Sequence, residues 1–204
     1  MTQTAILHVG AVVFEGFELL DLYGPLEMFG LLEGEVAITV IAERAGSVKS
    51  AAGPYVGADA AMDDCGGFDI LLIPGGMGTR LLLRDAAFLA RLKRLAETSK
   101  IVATVCTGSL LFAATGLLDG HRATSNKRVF DLIRKSAPKV EWVPKARWVE
   151  DGKYVTSSGV SAGMDMALGL IAKLRDRETA LRVARRAEYE WHEDAACDPF
   201  AAEL

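Results

Sequence analysis

Apolar and polar positions along the chain follow two periods, and each switch between them marks a new element. Ile6 to Phe14 reads as a strand that ends at Glu15-Gly16. Leu19 to Leu32 has the helical period, with Leu19, Leu22, Leu26 and Phe29 on one stripe and Pro25 predicting a kink or a late start. Val36 to Ala42 is a second strand, and Val48 to Val56 alternates around Gly53-Pro54 as a hairpin does. Ile70 to Ile73 and Ile101 to Val105 are short and continuously apolar, the mark of strands covered on both faces. Between them Ala86 to Thr98 is an amphipathic helix. Ser109 to Ala114 opens a helix that stops at Gly116, and Arg128 to Lys135 is another. Short strands are predicted near Val140–Val143 and Tyr154–Ser157. An apolar helix over Ala162–Leu174 and a charged one over Glu178–Glu190 follow. Strands and helices in alternation predict an α/β fold, a mostly parallel sheet with helices on both faces, whose sites lie at the carboxyl ends of the strands.

Composition narrows the function classes. The 204 residues suit a single domain over 1–204, and 50% apolar content is enough for a core without staples. The formal net charge of −4, with no long run of one sign, predicts neither nucleic-acid nor membrane-surface binding. No apolar stretch has the length of a membrane span, and the opening Met1–Thr4 lacks a basic leader pattern. Cys65, Cys106 and Cys197 are too few and too far apart for a disulfide framework or a zinc site, which predicts a cytoplasmic protein with reduced thiols and no metal.

One segment carries chemistry. Ile101–Val105 runs directly into Cys106, then Thr107, Gly108 and a helix. A strand, a nucleophile and a helix with glycine two positions on is the pattern of a nucleophile elbow. The helix N-terminus favours the ionised sulfur, so Cys106 is expected to be a thiolate of depressed pKa. The plainer alternative is a cysteine used as a small core residue. The run Pro74-Gly75-Gly76-Met77-Gly78 after Ile70–Ile73 is either a tight turn or a place where the Gly75 and Gly76 amides approach a ligand as an oxyanion hole. Asp21, among apolar neighbours after the first strand, is either a helix cap or a proton-transfer group of raised pKa near the sulfur.

Together these segments resemble the ThiJ/PfpI superfamily. The resemblance rests on Phe14–Asp21 with Gly24-Pro25, Ile73–Gly78, Val105–Ser109, Gly116–Thr124 and Thr156–Asp165. It implies a flavodoxin-like, class I glutamine amidotransferase-like sandwich, and a homodimer. Leu20-Asp21 with Gly24-Pro25, paired with Cys106-Thr107-Gly108-Ser109, is similar to the isonitrile hydratase branch and to the sensor domains of some AraC-type regulators. In the hydratase branch the elbow cysteine, the following threonine and the early aspartate are tied to activity. They carry over to Cys106, Thr107 and Asp21, and the backbone oxyanion site to Gly75 and Gly76.

The chain departs from many relatives at one position. Asn126 stands where they have histidine, so no Cys–His dyad is expected. Thr107 follows the nucleophile where the protease branch has histidine, which disfavours proteolysis. His8, His121 and His192 are assigned structural or surface roles. The resemblance thus implies hydration of an isonitrile to an N-formamide, with no cofactor and a small-molecule substrate. The alternatives are glyoxalase- or deglycase-like chemistry on small carbonyls, and a sensor acting through oxidation of Cys106 or binding of an effector. No helix-turn-helix output domain is expected beside the α/β unit within these 204 residues, which disfavours an AraC-type regulator but not a free-standing sensor.

Overall fold

In the computed structural model, which describes residues 5–203, strand and helix alternate as the apolar periods require. Met1–Thr4, read above for leader character, lies outside the described residues. β1 (Leu7–Val12) leads to α1 (Leu19–Gly30) and β2 (Val36–Ala42). A hairpin of β3 (Gly46–Lys49) and β4 (Tyr55–Ala58) precedes the short β5 (Ala60–Ala61). β6 (Ile70–Ile73) is followed by one turn of helix, α2 (Thr79–Leu82), and by α3 (Ala86–Thr98). β7 (Ile101–Val105) enters α4 (Gly108–Ala113). The remainder is β8 (Arg122–Ala123), α5 (Phe130–Ser136), β9 (Glu141–Trp142), β10 (Trp148–Asp151), β11 (Tyr154–Ser157), α6 (Ala162–Leu174) and α7 (Arg177–Arg186).

The main sheet has the order β10-β11-β7-β6-β1-β2-β5, and every pairing but β10 with β11 is parallel. α1, α6 and α7 pack as one layer, and α2, α3 and α4 as another. The α/β sandwich expected from the alternation is therefore present. Ile70, Leu71, Leu72 and Ile73 of β6 are all fully buried. Each contributes roughly 1.5–3 kcal/mol relative to an exposed side chain. A strand with no solvent face needs no polar alternation, which is why this run reads as continuously apolar.

Chain order places the site. After β1 the chain first builds β2 on one side, then returns to lay β6 and β7 on the other. The crevice outside the carboxyl ends of β1 and β6 is thus the topological switch point, where open α/β sheets bind ligands. Asp21, Gly75 and Cys106 follow the ends of β1, β6 and β7 respectively.

Several boundaries differ from expectation for physical reasons. α1 continues through Pro25, which packs against the glycine surface of α6: a Cβ on Gly163 would lie 3.0 Å from Pro25 Cγ. The charged helix starts at Arg177, capped by Asp176 accepting from the Thr179 N–H at 2.7 Å, and stops at Arg186. It stops early because Glu188 takes φ 49° and the chain turns so that Tyr189, Trp191 and His192 bind Asp165. The strand near Val140–Val143 is two residues long and pairs with β8, outside the main sheet. β10, an antiparallel edge strand, and α2 have no strong period and went unpredicted. Among the described residues no helix is long and apolar enough to cross a membrane.

Candidate active site

Cys106 sits at the turn between β7 and α4 with φ 58°, a left-handed conformation costly for a residue with a Cβ. The surroundings over-determine it. Its N–H faces the Ser157 and Ser158 carbonyl oxygens at 3.3 Å each. Its own carbonyl oxygen lies 2.9 Å from the Ser109 hydroxyl and 2.8 Å from that of Ser125, and the two hydroxyls are 2.7 Å apart. Gly108 is required by close approach: a Cβ there would lie 2.4 Å from the Ile73 carbonyl oxygen. The elbow anticipated from the strand–Cys–x–Gly–helix pattern is thereby realised.

Asp21 is fully buried and does not cap α1. Its Oδ2 accepts from the Gly75 N–H at 3.0 Å, while Oδ1 has no hydrogen-bond partner. The carboxyl is close enough to the Cys106 thiol for each to perturb the other, although no contact between them meets full hydrogen-bond geometry. Burial, more than any other cause, raises the Asp21 pKa to about 7. The Gly75 N–H and the thiol oppose that shift, and the nearby Glu18 charge adds to it.

The expected low-pKa thiolate needs correction. Burial first, and then the Asp21 charge, push the Cys106 thiol up to about 12. N–H groups of Asn126 and Thr107 pull the other way without prevailing. Cys106 is only 6% exposed, and a six-residue helix does not outweigh loss of water around the sulfur. The resting group is a neutral thiol beside a carboxyl that titrates near neutrality.

Three loops meet at this point. The Gly76 N–H donates to Thr107 Oγ1 at 3.0 Å, and Thr79 Oγ1 lies 3.4 Å from the same hydroxyl. The Thr107 hydroxyl is thus engaged with the glycine loop, and its backbone N–H bears on the sulfur. The Gly75 and Gly76 amides, expected as oxyanion donors, are committed to Asp21 and Thr107. No side chain is tolerated in this loop: a Cβ on Gly75 would lie 2.6 Å from Thr107 N and 2.8 Å from Asp21 Oδ2.

Two contacts to the sulfur were not anticipated from sequence. Asn126 Nδ2 donates to Cys106 Sγ at 2.9 Å, and its Oδ1 accepts from the Arg128 N–H at 2.9 Å. The second bond orients the amide, because only the oxygen can receive that N–H. Gly159 packs beside both, where a Cβ would fall 2.8 Å from Sγ and 2.5 Å from Asn126 Nδ2. Asn126 was legible only as the replacement of a histidine, and Gly159 only as one residue in a family stretch. His8, His121 and His192 do not contact the sulfur: His8 lies in β1, His121 Nδ1 faces Asp151 at 3.2 Å, and the His192 N–H donates to Asp165.

The comparisons place the fold in a known family. The model of the DJ-1/PfpI family matches residues 8–173. The chain belongs to the DJ-1/PfpI family. Among curated relatives, an isonitrile hydratase of Pseudomonas putida is 34% identical over 184 residues, covering 90% of this chain and 78% of that protein. A deglycase of Thermococcus kodakarensis is 30% identical over 145 residues, covering 70% of this chain and 84% of that one. Among solved structures, a ThiJ/PfpI family protein from Pseudomonas syringae superposes with a TM-score of 0.80 at 33% identity, over 92% of this chain and 76% of its own. The chain thus resembles proteins of different activities, and membership alone does not select among them.

Proposed function

We propose that this DJ-1/PfpI protein hydrates an isonitrile to an N-formamide through Cys106. The observation that carries the reading is Asp21, a buried carboxyl at the sulfur with a pKa of about 7. A nucleophile that rests as a neutral thiol needs a base, and a base is most useful when its pKa is close to the working pH. Asn126 offers only an amide N–H to the sulfur and no site for the proton, which leaves Asp21 as the acceptor.

In this mechanism the Asp21 carboxylate takes the thiol proton as sulfur bonds to the terminal isonitrile carbon. The same proton passes to that carbon, giving a thioimidate. Asp21 then removes a proton from water as it adds to the thioimidate carbon. Asp21 passes that proton to the nitrogen; as the carbon–sulfur bond breaks, the hydroxyl proton moves through Asp21 to sulfur, and the formamide leaves. The net change is addition of one water. The Asn126 and Thr107 N–H groups hold negative charge on sulfur while it forms. Gly75 and Gly76 act by holding Asp21 and Thr107 in place.

A homodimer belongs to the same reading, with Leu20 and Tyr23 exposed on α1 beside Asp21. So does a cytoplasmic location, given three free cysteines. The deciding experiment is turnover of purified protein on an alkyl isonitrile and on methylglyoxal, with Cys106→Ala as the blank. Formamide production above the blank is expected. Turnover of methylglyoxal alone would reassign the enzyme to carbonyl chemistry, and turnover of neither would favour a sensor.

A further inference from the structure

Behind the sulfur lies a second buried polar assembly that the proposed reaction does not use. Lys127, Arg147, Asp165 and Asp198 are all almost completely buried. Arg147 is bound to Asp165 at 2.7 and 2.8 Å. Lys127 Nζ donates to Thr124 Oγ1 and to the Ala146 carbonyl, each at 2.7 Å, with Asp198 Oδ2 at 3.9 Å. Arg147 Nη1 lies 3.7 Å from the other Asp198 oxygen. The Asp198 N–H donates to the Lys145 carbonyl at 2.8 Å, which anchors the C-terminal segment against the same loop.

Four consecutive residues connect this assembly to the elbow. Thr124 is fixed by Thr156 Oγ1, which accepts its N–H at 2.8 Å, and also anchors the lysine. Ser125 holds the Cys106 carbonyl, Asn126 holds its sulfur, and Lys127 folds back on the segment that bears it. An ammonium kept out of water is costly, and an apolar residue of the same volume would fill the space more cheaply. What the ammonium adds is direction: two short bonds tie the loop at a fixed height beside the elbow.

We propose that Lys127, held by Thr124 and the Ala146 carbonyl, is a positioning residue that fixes the Asn126 amide on the Cys106 sulfur. The inference rests on Cys106 being the reactive group, but not on the identity of the substrate.

The test is alkylation of Cys106 by iodoacetamide from pH 7 to 9, read at each cysteine by mass spectrometry. Wild type is compared with Asn126→Ala, with Lys127→Met, and with the two combined. Loss of a hydrogen bond to ionising sulfur should slow Cys106 labelling about tenfold in Asn126→Ala. Lys127→Met should slow it by a similar factor. It should slow it no further in the Asn126→Ala background, because two residues acting through one contact are not additive. Unchanged Cys65 labelling marks an intact fold. Should Lys127→Met not fold, the charge-neutral pair Lys127→Met with Asp198→Asn takes its place in the same comparison. Wild-type labelling in the lysine variant, or full additivity with Asn126→Ala, overturns the proposal. Absence of isonitrile turnover would remove the proposed reaction and leave this result standing, since alkylation reads the sulfur directly.

Discussion

Asp21 and Asp165 are both fully buried carboxyls on helices of the same layer, and they are treated in opposite ways. Asp165 is saturated. Its Oδ2 receives two bonds from Arg147, and its Oδ1 receives the Tyr189 hydroxyl and the His192 N–H at 3.0 Å each. Asp21 has one N–H donor, from Gly75, and an oxygen with none. The first arrangement holds a charge in place and joins the C-terminal segment to α6. The second leaves a carboxyl unable to bear its charge comfortably, so it exchanges a proton near neutral pH. What separates a structural acid from a chemical one here is the number of donors supplied, since burial is the same.

The comparison can be broken most directly at Asp21. If it moves the proton, Asp21→Asn should lower isonitrile turnover by about 10²–10⁴-fold with the fold intact. Near-wild-type turnover would end its catalytic role. At Asp165 the loss should appear in stability instead. Asp165→Ala strands the Arg147 charge, and the expected cost is about 3–5 kcal/mol in denaturant unfolding. A loss within about 0.5 kcal/mol would mean that the pair is dispensable.

The pH dependence of stability sharpens the contrast. The folded-state pKa of Asp21 is raised from 3.8 to about 7, so the folded state binds the proton more tightly than the unfolded chain. Its contribution is present in full below about pH 4 and is lost as pH rises through about 7. A shift of that size corresponds to roughly 4 kcal/mol. Asp21→Asn should remove this slope, so the variant gains on wild type between pH 5 and pH 8 in melting temperature. A constant difference across that window would contradict the raised pKa. Turnover in the wild type has the opposite sign. The base must be ionised, so kcat/KM should rise with pH around a midpoint near 7. A smaller effect is expected at Gly159. Gly159→Ala would press a methyl group onto Sγ, and the strain of overpacking, about 1–3 kcal/mol, should slow Cys106 alkylation by at least about fivefold. Wild-type labelling would show that the packing there yields.

Much of this molecule was legible in its sequence. The continuous apolar runs of β6 and β7, the stripe of α3 and the Gly53-Pro54 hairpin lie where their periods predicted, because each is decided by local pattern. Cys106, Thr107 and Gly108 were legible as an elbow, because a strand that meets a helix through Cys-x-Gly has few other geometries. α2 and β10 were not legible. α2 is a single turn, and β10 is an edge strand that takes its place only by pairing with β11.

The tertiary structure alone decided which groups face the sulfur and with how many donors. The sequence determined that a cysteine would stand at a strand end, that an acid would follow β1, and that glycines would follow β6. It could not determine the sulfur's protonation, because that depends on the water excluded by residues such as Gly159, more than fifty positions away. Nor could it show that Asn126 aims an amide donor at Sγ, or that the Gly75 and Gly76 amides are spent on Asp21 and Thr107. Strand and helix follow from neighbours in the chain. A pKa and a hydrogen-bond count follow from neighbours in space, which the fold assembles from segments that carry no trace of one another.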